Sequence, residues 1–268
     1  MSTDLTLLVP PQWSPYQPSL GTAALKAYLD RQGYHVEQHD WNLEFYEYFL
    51  DRSRLSRAQA RLKQYVTLLD DDDAYHARCL YAMAILDDYD TAAQQVERLR
   101  TRALVGDLPA YREAIHAFYR LLMAFSAAEP MVTVGPSSLA LDRARGDVDQ
   151  LQTFLADAAR NPFLEFYECR VDDLRPPRHF GISIIGDEQL APGLTLGRVL
   201  KQRFPDTPVL IGGSVFSRLA DQGADLDGFF GTCFDYICRG EGEAPLAQFL
   251  ASDDPRRDQT PNLVFVDD

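Results

Sequence analysis

Two glycine clusters stand out by residue type and position. Ile211-Gly212-Gly213-Ser214 follows the apolar run PVLI, and residues 239–245 (RGEGEAP) follow FDYIC; a helix-like segment comes next in both cases. Glycine lacks a Cβ, so backbone amides in such turns approach a bulky or anionic group closely, and positive φ becomes available. The chemistry this suits is cofactor binding. Either cluster alone would serve equally as a tight turn, with Glu241 and Glu243 as helix-start carboxylates favoured by the helix dipole. A third candidate is the loop after the first apolar run, PPQWSPYQPSLG, which carries Trp13 and Tyr16 among its prolines. No G-x-G-x-x-G stands there, so a dinucleotide pyrophosphate has no glycine-rich cradle. A wide proline and aromatic loop suits a large flat ligand.

The elements that must position these residues follow from periodicity. LTLLV (Leu5–Val9) reads as a short buried strand. From Ser19 a helical pattern places Leu20, Ala23, Ala24, Ala27 and Tyr28 on one face and stops near Gly33. HVEQHD (residues 35–40) reads as a second strand whose polar alternation puts it at an edge. Residues 41–159 are rich in Ala, Leu, Arg and Asp with helical periodicity, and MVTVGPSS (residues 131–138) reads as a loop breaking those helices. After Pro176-Pro177 the alternation returns. FGISII (residues 180–185), a helix over about 191–203, PVLIGG, a helix from about Phe216, FDYICRG and a helix over 244–250 form three strand-helix units, and NLVFV (residues 262–266) is a further short strand. The expectation is α/β: a doubly wound (flavodoxin-like, Rossmann-like) parallel sheet of about five strands with a large all-helical insertion after the second. Residues 1–40 and 176–268 would make one domain and 41–175 the helical subdomain. In such a sheet both glycine clusters lie on the rim at the carboxyl ends of the strands, where ligands bind.

Composition narrows the partners. Of 268 residues, 46% are hydrophobic and 25% charged, ordinary globular usage that argues against disorder or a fibrous repeat. A net charge of −14 opposes wrapping a phosphate backbone, so nucleic acid and anionic membrane are excluded as expected partners. MSTDLTLLVPPQW has no basic leader and only a short apolar run, which reads as neither signal peptide nor membrane span and points to the cytoplasm. The four cysteines give no disulfide framework; Cys233 and Cys238 read as buried thiols rather than a zinc site. Residues 70–73 (DDDD) lack the spaced ligands and glycine of a calcium loop and read as a solvated cap or turn.

Taken together, PSLG (residues 18–21), GISIIGDEQLAPGL (residues 181–194), VLIGGS (residues 209–214) and FDYICRGEGEAPL (residues 234–246), in that order and spacing, resemble the cobalamin-binding domain of class B radical S-adenosylmethionine enzymes. PNLVF (residues 261–265) resembles the segment leading from that domain toward the radical domain. In detail the chain is most similar to methyltransferase-like members that modify ribosomal peptides. The resemblance covers residues 5–40 and 180–266. It implies that the domain binds cobalamin, as methylcobalamin or hydroxocobalamin, at the sheet rim and presents it to a radical S-adenosylmethionine domain or subunit acting on a peptide substrate.

Carried over residue by residue, Trp13, Tyr16, Pro18, Ser19 and Leu20 would shape the first loop beneath the corrin. Ser183 and Ser214 would hydrogen-bond corrin amides or the nucleotide tail, Asp187, Glu188 and Gln189 would face the ring edge, and Ile184 would belong to the same cofactor-binding segment. Gly212, Gly213, Gly240, Glu241, Gly242 and Glu243 would make room for the tail. No Asp-x-His-x-x-Gly occurs, so histidine-on ligation is not implied; His179 precedes the third strand, at the wrong end for the rim. No Cys-x-x-x-Cys-x-x-Cys occurs either, so the iron-sulfur cluster and S-adenosylmethionine would belong to an absent domain or a partner, and the chain alone would not be catalytic. Competing readings are a flavin or nucleotide module on the same fold, an interaction module docking through its acidic, Tyr-rich helices (Tyr46, Tyr48, Tyr75, Tyr81), and a glycosyltransferase-like enzyme, for which no catalytic constellation assembles.

Overall fold

The structure, a computed structural model, describes residues 3–129, 132–136, 138–141, 148–221, 226–253 and 260–266. In chain order the elements are β1 (Leu5–Val9), α1 (Leu20–Arg31), β2 (Val36–Asp40), α2 (Trp41–Phe49), α3 (Leu55–Leu68), α4 (Ala74–Asp87), α5 (Tyr89–Glu97), α6 (Leu108–Ala127), β3 (Val132–Val134), β4 (Leu139–Leu141), α7 (Val148–Ala156), α8 (Pro162–Val171), β5 (His179–Ser183), α9 (Leu190–Arg203), β6 (Val209–Gly212), α10 (Ser214–Asp221), β7 (Tyr236–Cys238), α11 (Glu243–Ala251) and β8 (Leu263–Val264). The protein is α/β, with a six-stranded sheet in the order β2-β1-β5-β6-β7-β8. All neighbours in it are parallel except β7 and β8, which run antiparallel.

Two compact units divide the chain, one of residues 1–45 with 144–268 and the other of residues 46–143. In the first, the central strands are apolar at almost every position, as expected of parallel strands buried on both faces. Leu5, Leu7 and Leu210 meet Leu29 of α1 and Leu246, Phe249 and Leu250 of α11 in one apolar cluster. Alternation sends Leu8, Phe180, Ile182, Val209 and Ile211 to the opposite side. Helix α9 packs closely enough there that Gly197 has no room for a Cβ against the Cys233 carbonyl oxygen. Asn161 Nδ2 donates to Thr195 Oγ1 at 2.9 Å and the Tyr167 hydroxyl to the Pro192 carbonyl at 2.9 Å, tying α8 to α9. Trp41, Phe45, Phe163 and Phe166 form an aromatic knot beside them.

The second unit is helical, with α6 at its centre. Arg54 and Arg61 both bind the Glu129 carboxylate, at 3.0 and 2.7 Å, so the buried charge of Arg54 is paired. Asp73, the last residue of the DDDD run, caps α4 by accepting from the Tyr75 amide at 2.7 Å. Where a loop was expected, β3 pairs antiparallel with β4, and V-T-V alternates with its valines buried. Residues 130, 131, 137 and 142–147 of the stretch expected to be helical or loop lie outside the described residues.

Other departures are local. The buried face of α1 is Thr22 and Leu29 with half-buried Leu25, whereas Leu20 is 75% exposed and Ala23, Ala24 and Ala27 face outward. Three alanines expose little apolar area, so their periodicity does not decide which face is covered. Strand β5 stops at Ser183 instead of Ile185: the Ile184 amide makes the last bond to β6, donating to the Gly212 carbonyl at 2.8 Å, and the Ile185 amide donates instead to Gln189 Oε1 at 2.9 Å. No helix among the described residues is long and apolar enough to cross a membrane.

Candidate functional site

Strand order reverses beside β1: β2 lies on one side of it and β5 on the other. Loops leaving the two strands diverge there and leave a crevice at their carboxyl ends. A cavity of about 760 Å³ occupies this place, within the range of small-molecule sites. Its floor is Leu7, Gly181, Leu210 and Cys238 on the strands, its walls are Gly21 and Leu25 of α1 with Leu246 of α11, and its mouth holds Trp13, Tyr16, Pro18, Leu20, Ser214, Ser217 and Glu241.

Glycine makes the space. A Cβ on Gly181 would lie 2.9 Å from Leu7 Cδ2, and one on Gly242 would lie 3.1 Å from Leu25 Cδ2. Gly213 sits at φ +120°, with no room for a Cβ against the Ile184 carbonyl, which lets α10 start directly at Ser214. Gly240, at φ +68°, donates its amide to Ser217 Oγ at 3.0 Å and so turns the GEGE loop toward α10. Both turns need conformations that other residues rarely adopt.

The loop between β1 and α1 is pinned at three points. Trp13 donates its backbone amide to Asn42 Oδ1 at 3.0 Å and its indole N–H to the Gln17 carbonyl at 3.1 Å. Its ring lies over Gly186, where an added Cβ would be 3.7 Å away. Gln189, fully buried, donates to the Pro10 carbonyl at 2.7 Å and accepts from the Ile185 amide at 2.9 Å, stapling the loops after β1 and β5 together. The Ser214 hydroxyl donates to the Ile185 carbonyl at 2.7 Å, adding α10 to the same frame.

The sequence-derived site residues therefore separate. Trp13, Tyr16, Pro18, Leu20, Ser183, Gly212, Gly213, Ser214, Gly240, Glu241, Gly242 and Glu243 line the cavity; Ser19, Ile184, Asp187, Glu188 and Gln189 do not. Ser19 is buried as the N-cap of α1, with its Oγ accepting from the Thr22 hydroxyl at 3.0 Å. Ile184 is fully buried, and Asp187 pairs with Arg218 on the outer surface. Sequence reasoning passed over Gly21, Leu25 and Leu246. Their signal was available in the helical spacing Gly21/Leu25 and Gly242/Leu246, two small-then-large pairs that face each other.

Electrostatically the cavity has two carboxylates, Glu241 and Glu243, and no Lys, Arg or His among its lining residues. Burial, with a smaller contribution from Glu243, pushes the Cys238 thiol up to about 11, so it is a neutral S–H at pH 7. Burial likewise raises Cys233 to about 11. His179 begins β5, at the opposite end from the rim, packed edge-on against Phe249. Burial and the neighbouring Arg178 push it down to about 4. Among the described residues no three His, Cys, Asp or Glu side chains gather as a metal-holding group. The lining offers no pairing of nucleophile with base. It can hold an apolar, flat molecule and hydrogen-bond its edge through Ser183, Ser214, Ser217 and the two carboxylates. No protein-family model matches the chain, and neither a curated protein nor a solved structure matches it.

Proposed function

We propose that this rim cavity binds cobalamin and that the chain presents it to a radical S-adenosylmethionine domain or partner protein in the cytoplasm. The observation that carries the reading is the glycine-built, cation-free cavity of about 760 Å³ at the strand-order reversal. Its residues fit the group. Trp13, Tyr16 and Pro18 offer a broad apolar surface at the mouth for a planar macrocycle, and Ser183, Ser214 and Glu241 can accept from its amide edges. Between Gly181, Leu25 and Leu246 the floor is apolar and free of Cβ crowding, which suits the aromatic base of a nucleotide tail. A protonated Cys238 lines that floor as a soft apolar wall.

When bound, the group would supply a methyl carried on cobalt, and the protein's own share is binding and orientation. Gln189 and the Ser214 hydroxyl hold the loops after β1, β5 and β6 in one frame, so the cavity is preformed. The same reading takes the sheet as doubly wound and flavodoxin-like, with the helical segment inserted after β2. A flavin or nucleotide reading is less favoured, since a terminal phosphate, close to a dianion at pH 7, would meet stronger repulsion from the two carboxylates than the monoanionic phosphodiester of a cobalamin tail.

The chain has two tryptophans, and Trp13 lines the cavity. Titration with hydroxocobalamin, corrected for absorption, is expected to quench Trp13 fluorescence saturably, with no competition by riboflavin 5′-phosphate. Absence of quenching, or displacement by the flavin, contradicts the proposal.

A further inference from the structure

The helical unit carries a surface that the cavity does not use. Helix α6 buries Ala114, Ala117, Phe118, Leu121 and Phe125 along one side. Its opposite side is neither polar throughout nor charge-balanced. Leu108 is 65% exposed, Tyr111 38% and Tyr119 43%, and Val105, in the turn just before the helix, is 83% exposed. At helical spacing, Leu108, Arg112, Ile115 and Tyr119 fall on one stripe, flanked by His116 and Arg120. The Tyr119 ring is held edge-on by Phe118, so the stripe is braced from beneath.

The face also carries cations. Acidic residues outnumber basic ones in the chain, 40 to 26, and in both units arginines find a carboxylate, among them Arg52, Arg54, Arg61, Arg100, Arg170, Arg203 and Arg218. Among the described residues Arg102, Arg112 and Arg120 have no carboxylate within ion-pair distance, and the acidic residues beside them are Asp107, which caps the helix, and Glu113. Cations left unpaired in an acidic protein, interleaved with exposed apolar side chains, complement a partner with carboxylates beside apolar residues.

We infer that the outer face of α6 docks an acidic amphipathic helical segment of a partner protein. From Leu108 to Tyr119 the stripe spans about 16 Å at 1.5 Å per residue, matching three turns of a partner helix. A second copy of this chain fits less well. Two bodies of charge −14 repel at long range, whereas a short segment brings its carboxylates only to the cationic face. The inference does not depend on what the cavity binds.

The test uses the full chain and a fluorescein-labelled helical peptide of about sixteen residues, with leucines at helical spacing and glutamates between them. Anisotropy is expected to rise saturably. R112E/R120E should weaken binding about ten-fold or more, and R112Q/R120Q should do so in part, with circular dichroism unchanged in both. A counterpart peptide with lysine for glutamate should not bind. The inference is overturned by equal binding to wild type and R112E/R120E, by binding of the lysine peptide, or by no binding up to about 1 mM. A wild-type dimer that R112E/R120E converts to monomer would also overturn it, by showing that a second copy covers the face.

Discussion

Replacing Gly21 separates binding from folding, because the two effects have opposite signs. Gly21 lines the cavity on the first turn of α1, and a Cβ built there meets nothing within 4 Å. Leucine at this position adds four carbons to open space that the ligand would otherwise fill. At about 0.8 kcal/mol per displaced CH₂ the loss is about 3 kcal/mol, on the order of 100-fold in Kd. The same change should stabilise the helix by up to about 0.8 kcal/mol, since glycine is the poorer helix former. That corresponds to a rise of about 2–3 °C in melting temperature for a domain of this class. Gly21→Leu is therefore expected to melt no lower than wild type yet lose hydroxocobalamin in the fluorescence titration. Ala23→Leu, on the exposed side of the same helix and outside the cavity, should bind normally. Wild-type affinity in Gly21→Leu would refute the placement of the ligand between α1 and the sheet.

Further consequences concern the scaffold. Gly213→Ala places a Cβ against the Ile184 carbonyl at φ +120°, so it should cost more than about 1–3 kcal/mol and lower the thermal midpoint, which makes Gly213 a poor probe of binding alone. His179, held down to about 4 when folded against about 6.5 unfolded, binds fewer protons in the native state between those values. Stability should thus be fully present above about pH 6.5 and fall toward pH 4, by up to about 3 kcal/mol, with the slope reduced in His179→Phe when measured by urea unfolding. At pH 8, Cys169, which is exposed, should react with a disulfide reagent at once, while Cys233, buried and raised to about 11, should react only on unfolding.

Much of the sheet was legible because short apolar runs bounded by turn residues leave few alternatives: LTLLV ends where β1 ends, and VLIG is β6. Glycine clusters after such runs pointed to the rim, since only the carboxyl ends of parallel strands put both turns at one edge. What resisted reading was decided by tertiary packing. Alanine-rich α1 carries no strong face, so its periodicity grouped Leu20 with three alanines that face outward, whereas Thr22 and Leu29 make the buried side and Leu20 stands at the cavity mouth. DEQ after β5 read as polar residues aimed at a ligand, yet Gln189 is a buried staple and Asp187 is spent on Arg218. The β3–β4 pairing was hidden because three-residue strands barely register as alternation. Leu25 and Leu246 belong to the site through one approach, that of α1 to Gly242, which joins residues far apart in the chain.

The most direct test of the central claim is the visible absorption spectrum of the purified full chain after incubation with hydroxocobalamin and removal of free cofactor. The account predicts a retained cobalamin spectrum that shifts on reduction to base-off cobalt(II) and is lost in Gly21→Leu. A colourless, folded protein would contradict it and leave the glycine turns as structural features of the sheet edge.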